Sequence, residues 1–82
     1  MIYSPQQLAN QLKLIRTKHS LSQSELAEKV GIKQSTLSNF ENHPDTTQLK
    51  TVFKIIQALE LQLTVSEKEQ AYVIKDPSGE VW

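Results

Sequence analysis

The sequence predicts a mainly α domain, with four helices across residues 4 to 60 and a short strand across 61 to 66. Three observations carry this reading. Box-like capping patterns stand at Ser4 with Gln7, Ser22 with Glu25 and Asp45 with Gln48, each able to satisfy the orphan amides of a helix start. Behind them, apolar residues recur at helical spacing. From Leu61 onward the apolar period changes to two.

In the first helix, Pro5 follows the Ser4 cap with its φ preset, and Leu8, Leu12 and Ile15 make one apolar stripe that ends near His19. Ser22 caps a shorter second helix that buries Leu26, Ala27 and Val30. Gly31 stops it in the left-handed conformation that glycine adopts cheaply. After Ile32 in the turn, a third helix is expected from about Gln34 to Asn42, burying Leu37 and Phe40, and Pro44 ends it. The box at Asp45 starts the fourth helix, whose stripe is Val52, Ile55, Ile56 and Leu59.

Leu61, Leu63 and Val65 alternate with Gln62, Thr64 and Ser66, the pattern of a half-buried strand. A lone strand leaves its backbone groups unpaired, so either the tail folds back on it or a second copy supplies the partner. Residues 67–82 form a C-terminal tail in which Asp76-Pro77-Ser78-Gly79 suits a type I turn; a weak hairpin and a flexible arm both fit it. Residues 1–60 are thus the helical domain and 61–66 the strand.

With 82 residues and a hydrophobic share of 38%, the chain fills one lean core. It has no cysteine, so disulfides and thiolate metal sites are excluded, and a reducing compartment fits. No apolar run has the length of a signal peptide or membrane span, and a cytoplasmic bacterial protein is expected. The formal net charge is zero, but residues 1–65 hold seven Lys/Arg against five Asp/Glu, and residues 66–82 hold two against four. A basic body and an acidic tail suggest different partners.

Setting the third helix by Leu37 and Phe40 turns Ser35, Ser38, Asn39 and Asn42 outward, with Gln34 at the exposed start. These are short, uncharged donors and acceptors on a helix held across a glycine-containing turn. Base edges in the major groove are read by such side chains. Lys33 sits at the N-cap position, where a cation opposes the helix dipole. That choice fits either a contact to DNA or a residue that keeps the turn solvated.

The segment "LSQSELAEKVGIKQSTLSNFENHPDTTQLKTVFKIIQALEL" resembles the helix-turn-helix domain of the Xre family, the phage-repressor type. The matching positions are Gln23, Leu26, Ala27, Gly31, Ile32, Gln34, Ser35, Leu37, Ser38, Glu41 and the leucine-rich fourth helix. More narrowly, "YSPQQLANQLKLIR", "GIKQSTLSNFEN" and "LELQLTV" resemble HipB antitoxins, the DNA-binding partners of HipA-type kinase toxins. The resemblance covers residues 3 to 66 and stops there.

It implies a four-to-five-helix fold with a C-terminal strand paired across a dimer at Leu61, Leu63 and Val65. It further implies that Gln23 bonds a backbone phosphate and that Gln34 reads an adenine through its amide. Lys33, Ser35, Ser38, Thr36 and Asn39 complete the expected DNA-binding set, although packing against the second helix also explains Thr36. Arg16 and Glu41 match a pair that fixes the fold. The implied partners are palindromic operator DNA, a second copy of the chain and a HipA-like Ser/Thr kinase toxin, with no cofactor and no membrane. Trp82, the only tryptophan, suits an anchor in a partner's apolar pocket or a side chain packed on its own dimer. A stand-alone repressor of a phage or restriction-modification system is the alternative.

Enzymatic readings find no support in the residues. His19 and His43 have no ligand spacing to other side chains, two glycines make no phosphate-cradling loop, and no nucleophile signature surrounds the serines.

Overall fold

The computed structural model describes residues 1–68. Ser4 accepts the Gln7 amide at 3.1 Å and opens α1, Pro5–Lys18, with Pro5 at its first position. The Gln7 side chain returns to the amide of Tyr3, one residue before the cap, and so ties the approaching chain to the helix. A full reciprocal box at Ser22 and Glu25 opens α2, Gln23–Val30. α3 spans Gln34–Asn42 and α4 spans Leu49–Ala58, with a 3-10 helix at Pro44–Thr46 between them.

Three helix ends share one device. Ser20, Gly31 and Glu60 each take a positive φ, at 61°, 88° and 60°. The next residue then bonds back into the last turn, from Leu21 to Arg16, Ile32 to Ala27 and Leu61 to Ile56, at 3.1, 3.0 and 3.0 Å. This is the Schellman arrangement, which satisfies orphan carbonyls and folds an apolar residue onto the helix it ends. Leu21, Ile32 and Leu61 all pack against the core in this way. At Gly31 a Cβ would meet nothing within 4 Å, so the positive φ, rather than crowding, is what favours glycine there.

The core joins Ala9 and Leu12 of α1, Leu26 and Ala27 of α2, Leu37 and Phe40 of α3, and Val52, Ile55 and Ile56 of α4 with Leu59. Phe40, Leu26, Leu37 and Ile55 are its largest fully buried side chains. Together they clamp α3 against the other helices by its Leu37–Phe40 edge, leaving the opposite edge free.

One expectation is corrected. Asp45 does not start the fourth helix. Pro44 opens the 3-10 turn, which Thr47 closes by bonding to Pro44 at 3.1 Å, and α4 begins at Leu49 after Gln48, which caps without a side-chain bond. Within the single chain residues 61–66 pair with nothing, and no strand occurs among the described residues; the pairing expected between copies needs a second chain. Leu61 is used in the cap of α4, and beyond it a single chain offers this segment no ladder partner. The turn at Asp76-Pro77-Ser78-Gly79 and Trp82 lie outside the described residues.

Candidate nucleic-acid interface

α3 starts without help from its cap residue. Lys33 makes no side-chain bond to the helix amides and is exposed. Local stability would favour Ser, Thr, Asp or Asn there by about 1 kcal/mol. A cation at this point costs stability and is useful where a polyanion approaches.

Lys33, Gln34, Ser35, Asn39 and Asn42 are exposed, and Thr36 and Ser38 are half-buried. The face has two flanks. On the α2 side, Gln34 faces the first turn of α2, with its Nε2 3.3 Å from Gln23 Oε1 and its Oε1 accepting from Ser24 Oγ at 3.1 Å. On the α4 side, Thr36 and Asn39 line a polar groove of about 230 Å³ with Thr46, Thr47, Gln48 and Thr51. Asn42 donates to Ser38 Oγ at 3.3 Å along the exposed edge. The chemistry of the face is that of uncharged donors and acceptors around one cation, which suits base edges bordered by phosphates.

Behind this face lies an ion pair. Arg16 of α1 donates from Nε to Glu41 Oε2 at 2.7 Å and from Nη2 to Glu41 Oε1 at 3.1 Å. Its Nη1 donates to the Leu21 carbonyl at 2.7 Å. The side chains are 9% and 2% exposed. The geometry is bidentate, the form in which a guanidinium holds a carboxylate most firmly. Gln23 also reaches this pair, donating from Nε2 to Glu41 Oε1 at 2.8 Å.

The structure therefore brings Arg16, Glu41, Gln23 and Gln34 into one connected set and places Ser35 and Asn39 apart from it. Ser24 belongs to the set and escapes a reading of the sequence, because its only signal is its place next to Gln23 at the start of α2. Leu63 and Val65, 52% and 90% exposed, line a groove with Met1, Ile2, Tyr3 and Leu8 and no residue of α3. Among the described residues no group of three or more His, Cys, Asp or Glu side chains could hold a metal ion. No helix among them is long and apolar enough to cross a membrane.

The helix-turn-helix family matches residues 12–65. Antitoxin HipB of Escherichia coli K12 is 59% identical over 70 residues, covering 85% of this chain and 80% of its own. Antitoxin HipB of Escherichia coli O6:H1 is likewise 59% identical over 70 residues, covering 85% of this chain and 74% of its own. Among solved structures, a HipA-HipB-O2-O3 complex contains a chain with a TM-score of 0.81 and 58% identity, covering 84% of this chain and 97% of that one. A HipB-O4 20mer complex gives 0.80 and 58% over the same shares. With its core, its glycine turn and its polar third helix in this arrangement, the chain belongs to the HipB antitoxin family of helix-turn-helix proteins.

Proposed function

We propose that this chain is a DNA-binding antitoxin that represses its own operon as a dimer and neutralises a HipA-like kinase toxin. The observation that carries the reading is α3 itself, an uncharged polar face presented on a clamped helix in a chain 59% identical to Antitoxin HipB. Two copies place their α3 helices in successive major grooves of a palindromic operator. Gln34 reads a base, Ser35, Ser38 and Asn39 add base or phosphate contacts, and Lys33, Gln23 and Thr36 hold the backbone. The protein works in the bacterial cytoplasm, on the nucleoid at its operator, and needs no cofactor.

Titrating variants against the duplex upstream of the coding sequence and against scrambled duplexes tests this. Gln34→Ala is expected to lose roughly 1–3 kcal/mol of discrimination at one base pair. Lys33→Ala is expected to weaken every duplex and to lower the salt slope by about 0.9 for the phosphate it releases. Operator affinity unchanged in both variants would remove α3 as the recognition helix.

The toxin is held by a separate part of the chain, the acidic 67–82 segment, with Trp82 as its aromatic anchor and Tyr72 and Val81 assisting. Truncation after Ser78 is expected to spare operator binding and to weaken the complex with the kinase. In the full chain the emission of Trp82 shifts to the blue when the kinase is added. A truncated chain that binds kinase as tightly as the full one would place the anchor elsewhere.

A further inference from the structure

The hydrogen bonds behind α3 run in a fixed sense. Glu41 is buried at 4% exposure and, as a carboxylate, only accepts. The group of Gln23 that faces it at 2.8 Å is therefore the Nε2 amino group. Gln23 Oε1 is thereby turned toward α3, where it takes a donor, Gln34 Nε2 at 3.3 Å. The carbonyl of Gln34 is then left to face the Ser24 hydroxyl at 3.1 Å, which donates to it.

A primary amide carries two N–H groups and two lone pairs. The set uses one of each on Gln34, so one donor and one acceptor remain on this exposed side chain, in the order that the orientation of the amide sets. The major-groove edge of adenine presents one acceptor, N7, and one donor, the N6 amino group. What remains on Gln34 is the complement of that edge, and a reversed amide would oppose donor to donor and acceptor to acceptor.

We propose that Glu41 is a positioning residue for base readout: its buried negative charge, relayed through the amide of Gln23, sets the donor and acceptor order that Gln34 presents to DNA. The proposal rests on α3 being the recognition helix. Glu41 lies on the core side of α3 and acts only through its neighbours.

The test uses the full-length chain and, for each position of the operator half-site, four duplexes that carry each base pair in turn. Gln34→Ala first locates the base pair whose discrimination Gln34 supplies. Two further variants are then titrated. Glu41→Gln keeps the shape of the side chain but can turn either an amino group or a carbonyl toward Gln23. Gln23→Met keeps the Arg16–Glu41 pair and removes the relay from a half-buried helical position that tolerates methionine.

Each is expected to reduce discrimination at the located base pair by about tenfold, while discrimination at other pairs is retained. Loss of a phosphate contact by Gln23→Met lowers affinity for all four duplexes alike and leaves their ratios untouched. If Glu41→Gln does not fold, Glu41→Asp, which keeps the charge but draws it back from Gln23, is titrated in its place. Should Gln34→Ala lose discrimination while the Glu41 variant keeps it in full, or lowers all affinities equally, the role of Glu41 is overturned whatever Gln23→Met does, and the recognition helix stands. If Gln34→Ala alters no base pair, the recognition helix falls, and the relay with it.

Discussion

Glu41→Ala is expected to destabilise the folded chain by roughly 3–5 kcal/mol, because it strands a desolvated guanidinium rather than merely deleting a contact. Arg16 is 7% exposed, and once Glu41 is gone its remaining protein acceptor is the Leu21 carbonyl at 2.7 Å. Gln23 loses its acceptor in the same step. In a domain of this size, 3 kcal/mol corresponds to a fall of roughly 12 °C or more in the melting temperature. Replacing both partners by apolar residues of similar volume, Arg16→Met with Glu41→Leu, is expected to cost much less than Glu41→Ala alone, since no buried charge remains. Thermal melts of the single and double variants measure the coupling, expected between about 0.5 and 3 kcal/mol. Small additive effects would mean that the pair contributes nothing beyond two solvated charges.

The same pair marks where the sequence was legible and where it was not. Periodicity in α1 points to Leu8, Leu12 and Ile15, and all three pack on the core, but the most deeply buried residues are Ala9, Leu12 and Arg16. The buried stripe is rotated because Arg16 can go inside once Glu41, 25 residues away, meets it. Hydropathy along one helix cannot register that. The starts of α1 and α2 were readable because a capping serine bonds within three residues. The start of α4 was not, since Pro44 diverts Asp45 into a 3-10 turn.

Helix ends divide in the same way. Gly31 announces its left-handed turn, while Ser20 and Glu60 adopt the same conformation without a glycine to signal it. The exposed face of α3 followed from the spacing of Leu37 and Phe40 alone. The relay behind it did not, because it depends on α2 meeting α3 and on a carboxylate reaching across to Gln23, 18 positions from Glu41. Gln23 was marked through family resemblance, and Ser24 was not marked at all.

Leu63→Pro is expected to weaken dimerisation by roughly 2 kcal/mol or more, about thirtyfold in the dissociation constant, through loss of strand pairing between copies. The described chain leaves an apolar face that one copy does not cover. Met1, Ile2 and Tyr3 are 82%, 48% and 64% exposed, and they line a groove of about 530 Å³ with Leu8, Leu63 and Val65. Lys68 lies 5.4 Å from the centroid of the Tyr3 ring, so this segment returns over the N-terminus. Beyond Leu61 the alternation of Leu63 and Val65 with polar residues suits a strand, and an antiparallel copy across a two-fold axis would pair its backbone. With such an axis any change acts twice: proline would remove one ladder donor from each copy, at about 1 kcal/mol per hydrogen bond. Under the proposed function, dimerisation would in turn set operator affinity, since a palindrome would be held by two recognition helices at once. Sedimentation equilibrium of Leu63→Pro should show monomer at concentrations where the parent chain is dimeric, and operator binding should shift to higher protein concentration with base discrimination intact. An unaltered dimer in that variant would place the interface on another face, leaving Met1, Tyr3 and Val65 to serve a different partner.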